Sequence, residues 1–106
     1  MEIPRLSDEQ LNDARKAASL ARRSRADLKN QLRNGDIDFL EALDRCRADD
    51  VLAHIRVSDL LRCVPRMGEK RAADLMTRLS IAESRRVRGL GPHQLAALRK
   101  EFGVTL

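Results

Sequence analysis

The sequence predicts an all-α protein in which a long N-terminal helix precedes a compact helical body. Apolar residues recur every three or four positions along most of the chain, and no stretch shows the strict alternation of a half-buried strand. Capping residues, glycines and prolines separate these periodic segments. A chain of 106 residues is long enough for one small hydrophobic core. We therefore divide it into a long helix over residues 1–35 and a helical body over residues 36–106.

The first predicted helix begins after Ser7, which has a capping-box partner in Gln10, and ends at Asn34-Gly35. Arg25 interrupts its narrow, alanine-rich apolar stripe. The stripe consists of Leu11, Ala14, Ala18, Ala21, Leu28 and Leu32. Such a stripe predicts a helix that packs on the body at one end and projects from it at the other.

The second predicted helix begins at Asp36 or Asp38 and lies in an acidic part of the chain. Its expected inner face consists of Ile37, Leu40, Leu43 and Cys46. Six acids and two arginines occupy residues 34–50, whereas residues 56–106 contain eleven basic residues and five acids. This polarisation of charge places the expected anion-binding surface in the carboxyl half.

Three further helices complete the predicted body. A short apolar stretch that ends at Val57 precedes Ser58-Asp59, which we expect to cap a third helix that stops before Pro65. The link PRMG then joins it to a fourth helix in a hairpin, and Pro92 opens a last helix that ends at Gly103. The expected inner residues are Leu60, Leu61 and Val64 in the third helix, Ala72, Ala73, Leu75, Met76 and Leu79 in the fourth, and Leu95, Ala96, Leu98 and Phe102 in the last.

Composition restricts the possible partners. The net charge of +5 and the pI of about 10 come mainly from arginine and favour a polyanion, of which nucleic acid is the commonest. Aromatic residues make up 2%, so stacking on bases is nearly excluded. No apolar run approaches the ~20 residues that span a bilayer, and the N-terminus lacks a signal-peptide pattern, which predicts a cytoplasmic protein without a membrane partner. Cys46 and Cys63 lack metal-ligand spacing and predict free thiols, with no metal or cofactor.

Two turns are candidate phosphate sites. PRMG opens a helix whose first N–H groups are free for an anion, and Lys70 and Arg71 follow in its first turn. The second turn, SRRVRGLG at residues 84–91, contains three arginines within four positions, which can bind phosphates or enter an A·T-rich minor groove. Its two glycines allow the backbone to approach DNA closely. The alternative for each turn is ordinary turn geometry with solvated cations. The predicted DNA-binding residues are Met67, Gly68, Lys70, Arg71, Ser84, Arg85, Arg86, Arg88, Gly89 and Gly91.

The motif RLSIAESRRVRGLGPHQLAALRKEFG, preceded by LLRCVPRMGEKRAADLM, resembles the actinobacterial (mycobacterial-type) integration host factor family. The similarity is strongest over residues 50–103 and extends to ARKAASLARRSRADLKNQL in the first helix. The resemblance implies a helix-two-turn-helix module that binds duplex DNA without sequence specificity and bends or constrains it at the nucleoid. Within that module, Arg85, Arg86 and Arg88 match the arginine cluster of the family, and Gly68 and Arg71 match its phosphate-binding hairpin.

The chain departs from the family pattern in the hairpin, which usually reads Pro-Gly-x-Gly-Lys. Arg66 replaces the first glycine and Glu69 the lysine, and Ser80 also stands where the family tends to have glycine. A β-carbon at position 66 and an acid at position 69 oppose close backbone approach, although the Arg66 side chain could itself reach a phosphate. Direct DNA contact by Arg22, Arg23 or Arg25 in the first helix competes with simple solvation of its basic face.

Other functions remain open at this stage. Some DNA glycosylases resemble the module, but the chain lacks their N-terminal Pro-Glu pair and zinc ribbon, and His54 and His93 fit structural better than catalytic positions. We therefore predict no enzyme and no small-molecule substrate. A structural RNA-binding protein with a ribosomal-type module is the main alternative, and a scaffold for an acidic protein is another. We expect a monomeric protein whose partner is double-stranded DNA.

Overall fold

The computed structural model describes residues 7–103, and the named elements in that range are all helices, joined by turns and short loops. The predicted all-α class and the long N-terminal helix are therefore confirmed. Residues 1–6 and 104–106 of the two predicted segments lie outside the described residues. The helices are α1 (Asp8–Arg33), α2 (Phe39–Ala48), α3 (Val57–Arg62), α4 (Glu69–Arg78) and α5 (Pro92–Phe102), with short 3₁₀ turns at Leu52–His54 and Val87–Gly89.

Both ends of α1 form as the local sequence predicts. The Ser7 Oγ accepts a hydrogen bond from the Gln10 N–H at 3.1 Å, and the Gln10 Oε1 accepts one from the Ser7 N–H at 2.8 Å. At the other end Gly35 has a φ of 79°, and the next N–H, from Asp36, donates to the Gln31 carbonyl at 2.9 Å. This Schellman pattern satisfies carbonyls that the helix itself leaves unpaired.

Only the last turns of α1 pack on the body. Leu28 and Leu32 are buried, whereas Leu11 and Leu20 remain 37% and 61% exposed. Ala14 and Ala18 are also exposed, so the first half of the predicted stripe is not an interface. A helix of 26 residues is about 39 Å long, and the molecule measures 61 × 31 × 24 Å. The α1 N-terminal half therefore projects beyond the core.

The core is built around α2, which contacts α1, α5 and both 3₁₀ turns. Ile37, Leu43 and Cys46 are buried as predicted, but Leu40 is only half-buried. Phe39 stacks against Phe102 of α5 with the ring centroids 4.2 Å apart. Both phenylalanines of the chain thus belong to the core packing, which leaves neither as an exposed platform for a base.

The start of α3 differs from the prediction. Arg56, not Ser58-Asp59, is the N-cap, and it makes no side-chain capping hydrogen bond. The Val57 N–H, one of the four that the start of a helix leaves unpaired, instead donates to the Arg85 carbonyl at 2.9 Å, so a distant part of the chain satisfies it. The helix also ends at Arg62, so Val64, which we expected within it, lies beyond its end.

The inner faces of α4 and α5 are narrower than predicted. Ala73 and Ala96 are exposed, because each short helix is covered by neighbours on one side only. The buried residues of these helices are Ala72, Leu75, Met76 and Leu98, with Leu79, Leu95 and Phe102 half-buried. At the end of α4, Ser80 has a φ of 58° in a Schellman pattern, with the Ile81 N–H on the Met76 carbonyl at 2.8 Å.

Candidate nucleic-acid interface

The arginine turn, residues 84–91, is attached by its backbone to the segment before α3. Two hydrogen bonds hold it: Val57 N–H to the Arg85 carbonyl at 2.9 Å, and Val87 N–H to the Ile55 carbonyl at 3.0 Å. Val87 is 2% exposed and anchors the turn in the core, whereas the arginines on either side of it are exposed. One buried valine and two backbone hydrogen bonds therefore hold this loop of exposed cations against the body.

Two of these arginines are partly held by backbone carbonyls. The Arg85 Nη1 donates to the Gly89 carbonyl at 3.0 Å, and the Arg86 Nη1 donates to the His54 carbonyl at 2.6 Å. A Cβ at position 89 would lie 3.2 Å from the Arg85 Cδ, so Gly89 makes room for the folded-back arginine. Each guanidinium has five N–H donors, and the remaining ones are available to a ligand.

The turn contributes to two adjoining concave surfaces. The first, which we call the arginine cleft, is lined by Arg25, His54, Arg86 and Arg88. The second is lined by Ala82, Ser84, Arg85, Arg86, Arg88 and Gly89. Packing of α1 thus brings Arg25 beside the arginine turn. His54, which sequence reasoning interpreted as structural, has an exposed side chain at this cleft, and no local signal in the sequence indicates that position.

The charges of the arginine cleft are uncompensated within the part of the chain that the structure describes. None of Arg25, Arg86 and Arg88 forms an ion pair with a carboxylate of residues 7–103. Four arginines elsewhere do: the pairs are Arg45–Glu41, Arg62–Asp59, Arg78–Glu101 and Arg99–Asp44. Hydrogen bonds from Arg78 hold the pKa of Glu101 below its usual value. The surface around the turn is therefore positive and suited to a phosphate backbone.

The hairpin between α3 and α4 forms a tight turn over residues 64–67. The Met67 N–H donates to the Val64 carbonyl at 3.0 Å, and Arg66, the third residue, has a φ of 69°. Gly68 is the N-cap of α4, and no atom lies within 4 Å of the place where its Cβ would be. Its backbone is accordingly open to solvent.

The predicted site residues do not all share one surface. Met67 and Gly68 line a cleft at the hairpin, and Lys70 lines a different one together with Glu69 and Glu83. The six-residue α3 spans about 9 Å and has the arginine turn at its start and the hairpin at its end.

Arg71 and Gly91 contribute to none of these clefts. Arg71 is exposed on the first turn of α4. The Gly91 N–H donates to the Gln94 Oε1 at 3.1 Å. This N–H, which we expected to face a phosphate, therefore already has a hydrogen-bond acceptor within the protein.

No group of three or more potential metal-ligating side chains occurs in residues 7–103. Cys46 and Cys63 are buried free thiols, and burial raises the pKa of both. None of the described helices combines the length and hydropathy required to cross a membrane.

Comparison with known proteins gives consistent similarities. A family model described as an S13-like H2TH domain matches residues 32–102. Integration host factor from Streptomyces coelicolor is 44% identical over 105 residues, which cover 99% of this chain and 98% of the relative. Integration host factor from Mycobacterium tuberculosis is 43% identical and covers 97% of this chain and 98% of the relative.

A solved structure described as sIHF bound to an 8-bp palindromic DNA is similar with a TM-score of 0.77 and 44% identity. The match covers 83% of this chain and 99% of that one. The family model covers the helical body, and the full-length relatives extend the similarity through α1. The chain therefore belongs to the integration host factor family of actinobacteria.

Proposed function

We propose that this chain is a nucleoid-associated protein that binds duplex DNA largely without sequence specificity and bends or constrains it. The observation that carries the proposal is the arginine cleft, where cations from α1 and the arginine turn converge without acidic partners in the described range. Guanidinium groups bind phosphate oxygens bidentately and enter narrow minor grooves, and neither contact requires a base sequence.

The relatives support this assignment. They carry the name integration host factor, and the solved structure is described as bound to palindromic DNA. The chain is accordingly not an enzyme, and the nucleoid within the cytoplasm is the location that follows from a DNA partner. The RNA-binding alternative is not favoured, because the described partner of the similar structure is DNA and both phenylalanines belong to the core packing.

The proposed contacts are the ten predicted residues, in two groups. Ser84, Arg85, Arg86, Arg88, Gly89 and Gly91 belong to the arginine turn, and Met67, Gly68, Lys70 and Arg71 belong to the hairpin and α4. The arginine turn forms the principal contact, because its backbone is held in place and its cations are exposed. The hairpin contributes less, because Glu69 and Glu83 lie beside Lys70.

The test is a titration of short duplex DNA against salt, with the triple variant Arg85→Gln, Arg86→Gln, Arg88→Gln. Each lost phosphate contact lowers the slope of log K against log salt by about 0.9, so we expect a weaker affinity for every sequence and a slope reduced by up to about 2.7.

The matched control carries Arg45→Gln, Arg78→Gln and Arg99→Gln, which remove equal charge at residues paired with acids. Circular dichroism spectra of both variants, compared with the wild type, are the check that each variant retains the fold. If the two variants bind DNA equally well, the arginine turn is not the principal DNA contact. If duplex RNA displaces the protein as effectively as duplex DNA at the same salt concentration, the RNA-binding alternative replaces this proposal.

A further inference from the structure

Arg66 occupies a backbone conformation that arginine rarely adopts. Arg66 is the third residue of the turn Val64–Met67, directly after Pro65, and its φ is 69°. A turn with proline second and a positive φ third favours glycine at the third position, because a β-carbon is strained there. Strained residues of this kind cost free energy and cluster at functional sites, so the outlier motivates a functional role for the Arg66 side chain.

The surroundings of Arg66 indicate that role. Its side chain lines a cleft together with Arg33 from α1 and Arg62 from α3, and we call this surface the hairpin cleft. Met67 and Gly68 form its edge. Three cations from three different parts of the chain therefore share one concave surface.

The Cys63 thiol lies close to two of these three cations, Arg33 and Arg62. Burial raises the pKa of Cys63, which also lines the hairpin cleft, but the positive charges of Arg33, Lys29 and Arg62 act in the opposite direction. These cations thus lie close enough to Cys63 to affect its ionisation.

Acids do not neutralise the hairpin cleft fully. Arg62 pairs with Asp59, and Arg33 donates from Nη1 to the neutral Asn30 Oδ1 at 3.1 Å. Arg66 forms no ion pair with any carboxylate in the described part of the chain. Glu69 lines the neighbouring cleft beside Lys70 rather than this one.

We propose that Arg66, supported by Arg33 and Arg62, binds a phosphate of duplex DNA as a contact separate from the arginine turn. This inference rests on the proposed DNA-binding function. A guanidinium binds a phosphodiester through two parallel N–H donors, which suits an exposed arginine beside two further cations. In the hairpin pattern that this sequence resembles, a lysine stands at position 69; here that position is Glu69, and Arg66 supplies a positive charge three residues earlier.

The position of the hairpin cleft fits the same duplex. It lies at the end of α3 opposite the arginine turn, and α3 spans about 9 Å. Successive phosphates of one DNA strand advance about 3.4 Å along the duplex axis. The length of α3 therefore corresponds to two or three phosphates of that strand. One backbone is therefore long enough to follow both surfaces.

The test compares Arg66→Gly with Ser80→Gly, the other described non-glycine residue with a positive φ, at 58°. Both substitutions relieve backbone strain, so we expect both to raise the Tm by a few degrees. Only Arg66→Gly removes a cation from the hairpin cleft. It should weaken the binding of a short DNA duplex about fivefold and lower the salt slope by about 0.9, and Ser80→Gly should change neither.

A third variant, Arg66→Lys, keeps the charge and the strained backbone but loses the paired donors, so it should bind DNA more tightly than Arg66→Gly and more weakly than the wild type. If Arg66→Gly binds DNA as tightly as the wild type, or more tightly, the inference is overturned. A tighter complex would mean that the backbone of the hairpin, not a guanidinium, approaches the duplex. The triple variant of the arginine turn tests DNA binding independently, so failure of the hairpin contact leaves that result unaffected.

Discussion

Arg56 and Arg86 lie directly opposite each other in an antiparallel bridge, although both are positively charged. The flanking hydrogen bonds, Val57 N–H to the Arg85 carbonyl and Val87 N–H to the Ile55 carbonyl, make this a pair without hydrogen bonds of its own. In such pairs the Cα atoms are about 4.5 Å apart and the side chains are close. Like charges opposite each other destabilise a bridge, and a bound polyanion would reverse that effect.

We expect Arg56→Gln to stabilise the free protein and to weaken its DNA complex. Removal of one of the two opposed charges should raise the free energy of unfolding by about 0.5 kcal/mol at low salt. The gain should decrease at high salt, where the repulsion is screened. Urea unfolding at two salt concentrations and a DNA titration measure the two effects. Arg45→Gln, which breaks the pair with Glu41, is the control and should not stabilise the protein.

Arg25 should contribute to DNA binding more than its neighbour Arg23. Arg25 lines the arginine cleft, whereas Arg23 is exposed and lies about 200° around α1 from it. Arg25→Gln should weaken duplex binding about fivefold and lower the salt slope by about 0.9, and Arg23→Gln should have a smaller effect. Equal losses in both variants would show that α1 acts through its overall charge and not through this cleft.

Alanine substitutions of two leucines should distinguish the core from the projecting half of α1 by their effects on stability. Leu43 is 0% exposed in α2, so Leu43→Ala should lower the free energy of unfolding by about 3 kcal/mol. Leu20 is 61% exposed, so Leu20→Ala should change it by less than about 0.5 kcal/mol. Chemical denaturation measures both values. A large loss from Leu20→Ala would indicate that this half of the helix packs on something in solution.

The free energy of unfolding should decrease in alkaline solution because the Cys46 thiol ionises more readily in the unfolded chain than in the folded protein. Burial, with a smaller contribution from Asp49, raises the pKa of this thiol from 9.0 to about 12. Because the folded pKa is the higher one, the contribution to stability is complete below pH 9 and is lost as the pH rises towards 12. Urea unfolding between about pH 8 and about pH 10 should show a steeper decline for the wild type than for Cys46→Ala. Parallel declines would exclude Cys46 as the cause.

Several helix ends could be predicted because residues close in sequence determine them. Ser7 with Gln10, Gly35 and Pro92 stand where the capping rules place them, and each acts on its own turn of helix. The predicted cap at Ser58 was wrong, since α3 begins one residue earlier, where the Val57 N–H finds its acceptor in the Arg85 carbonyl, far along the chain. The two-segment division and the ten binding residues stay predictions until tested.

The sequence by itself determined the helical class, the acidic and basic halves, and the family resemblance, because periodicity, charge and motifs are local properties. Only the tertiary structure decided which cations share a surface. The packing of α1 brings Arg25 to Arg86, and the hairpin brings Arg66 to Arg33. The positive φ of Arg66 and Ser80 also became visible only in the folded backbone. These features depend on contacts between distant segments, which no local pattern encodes.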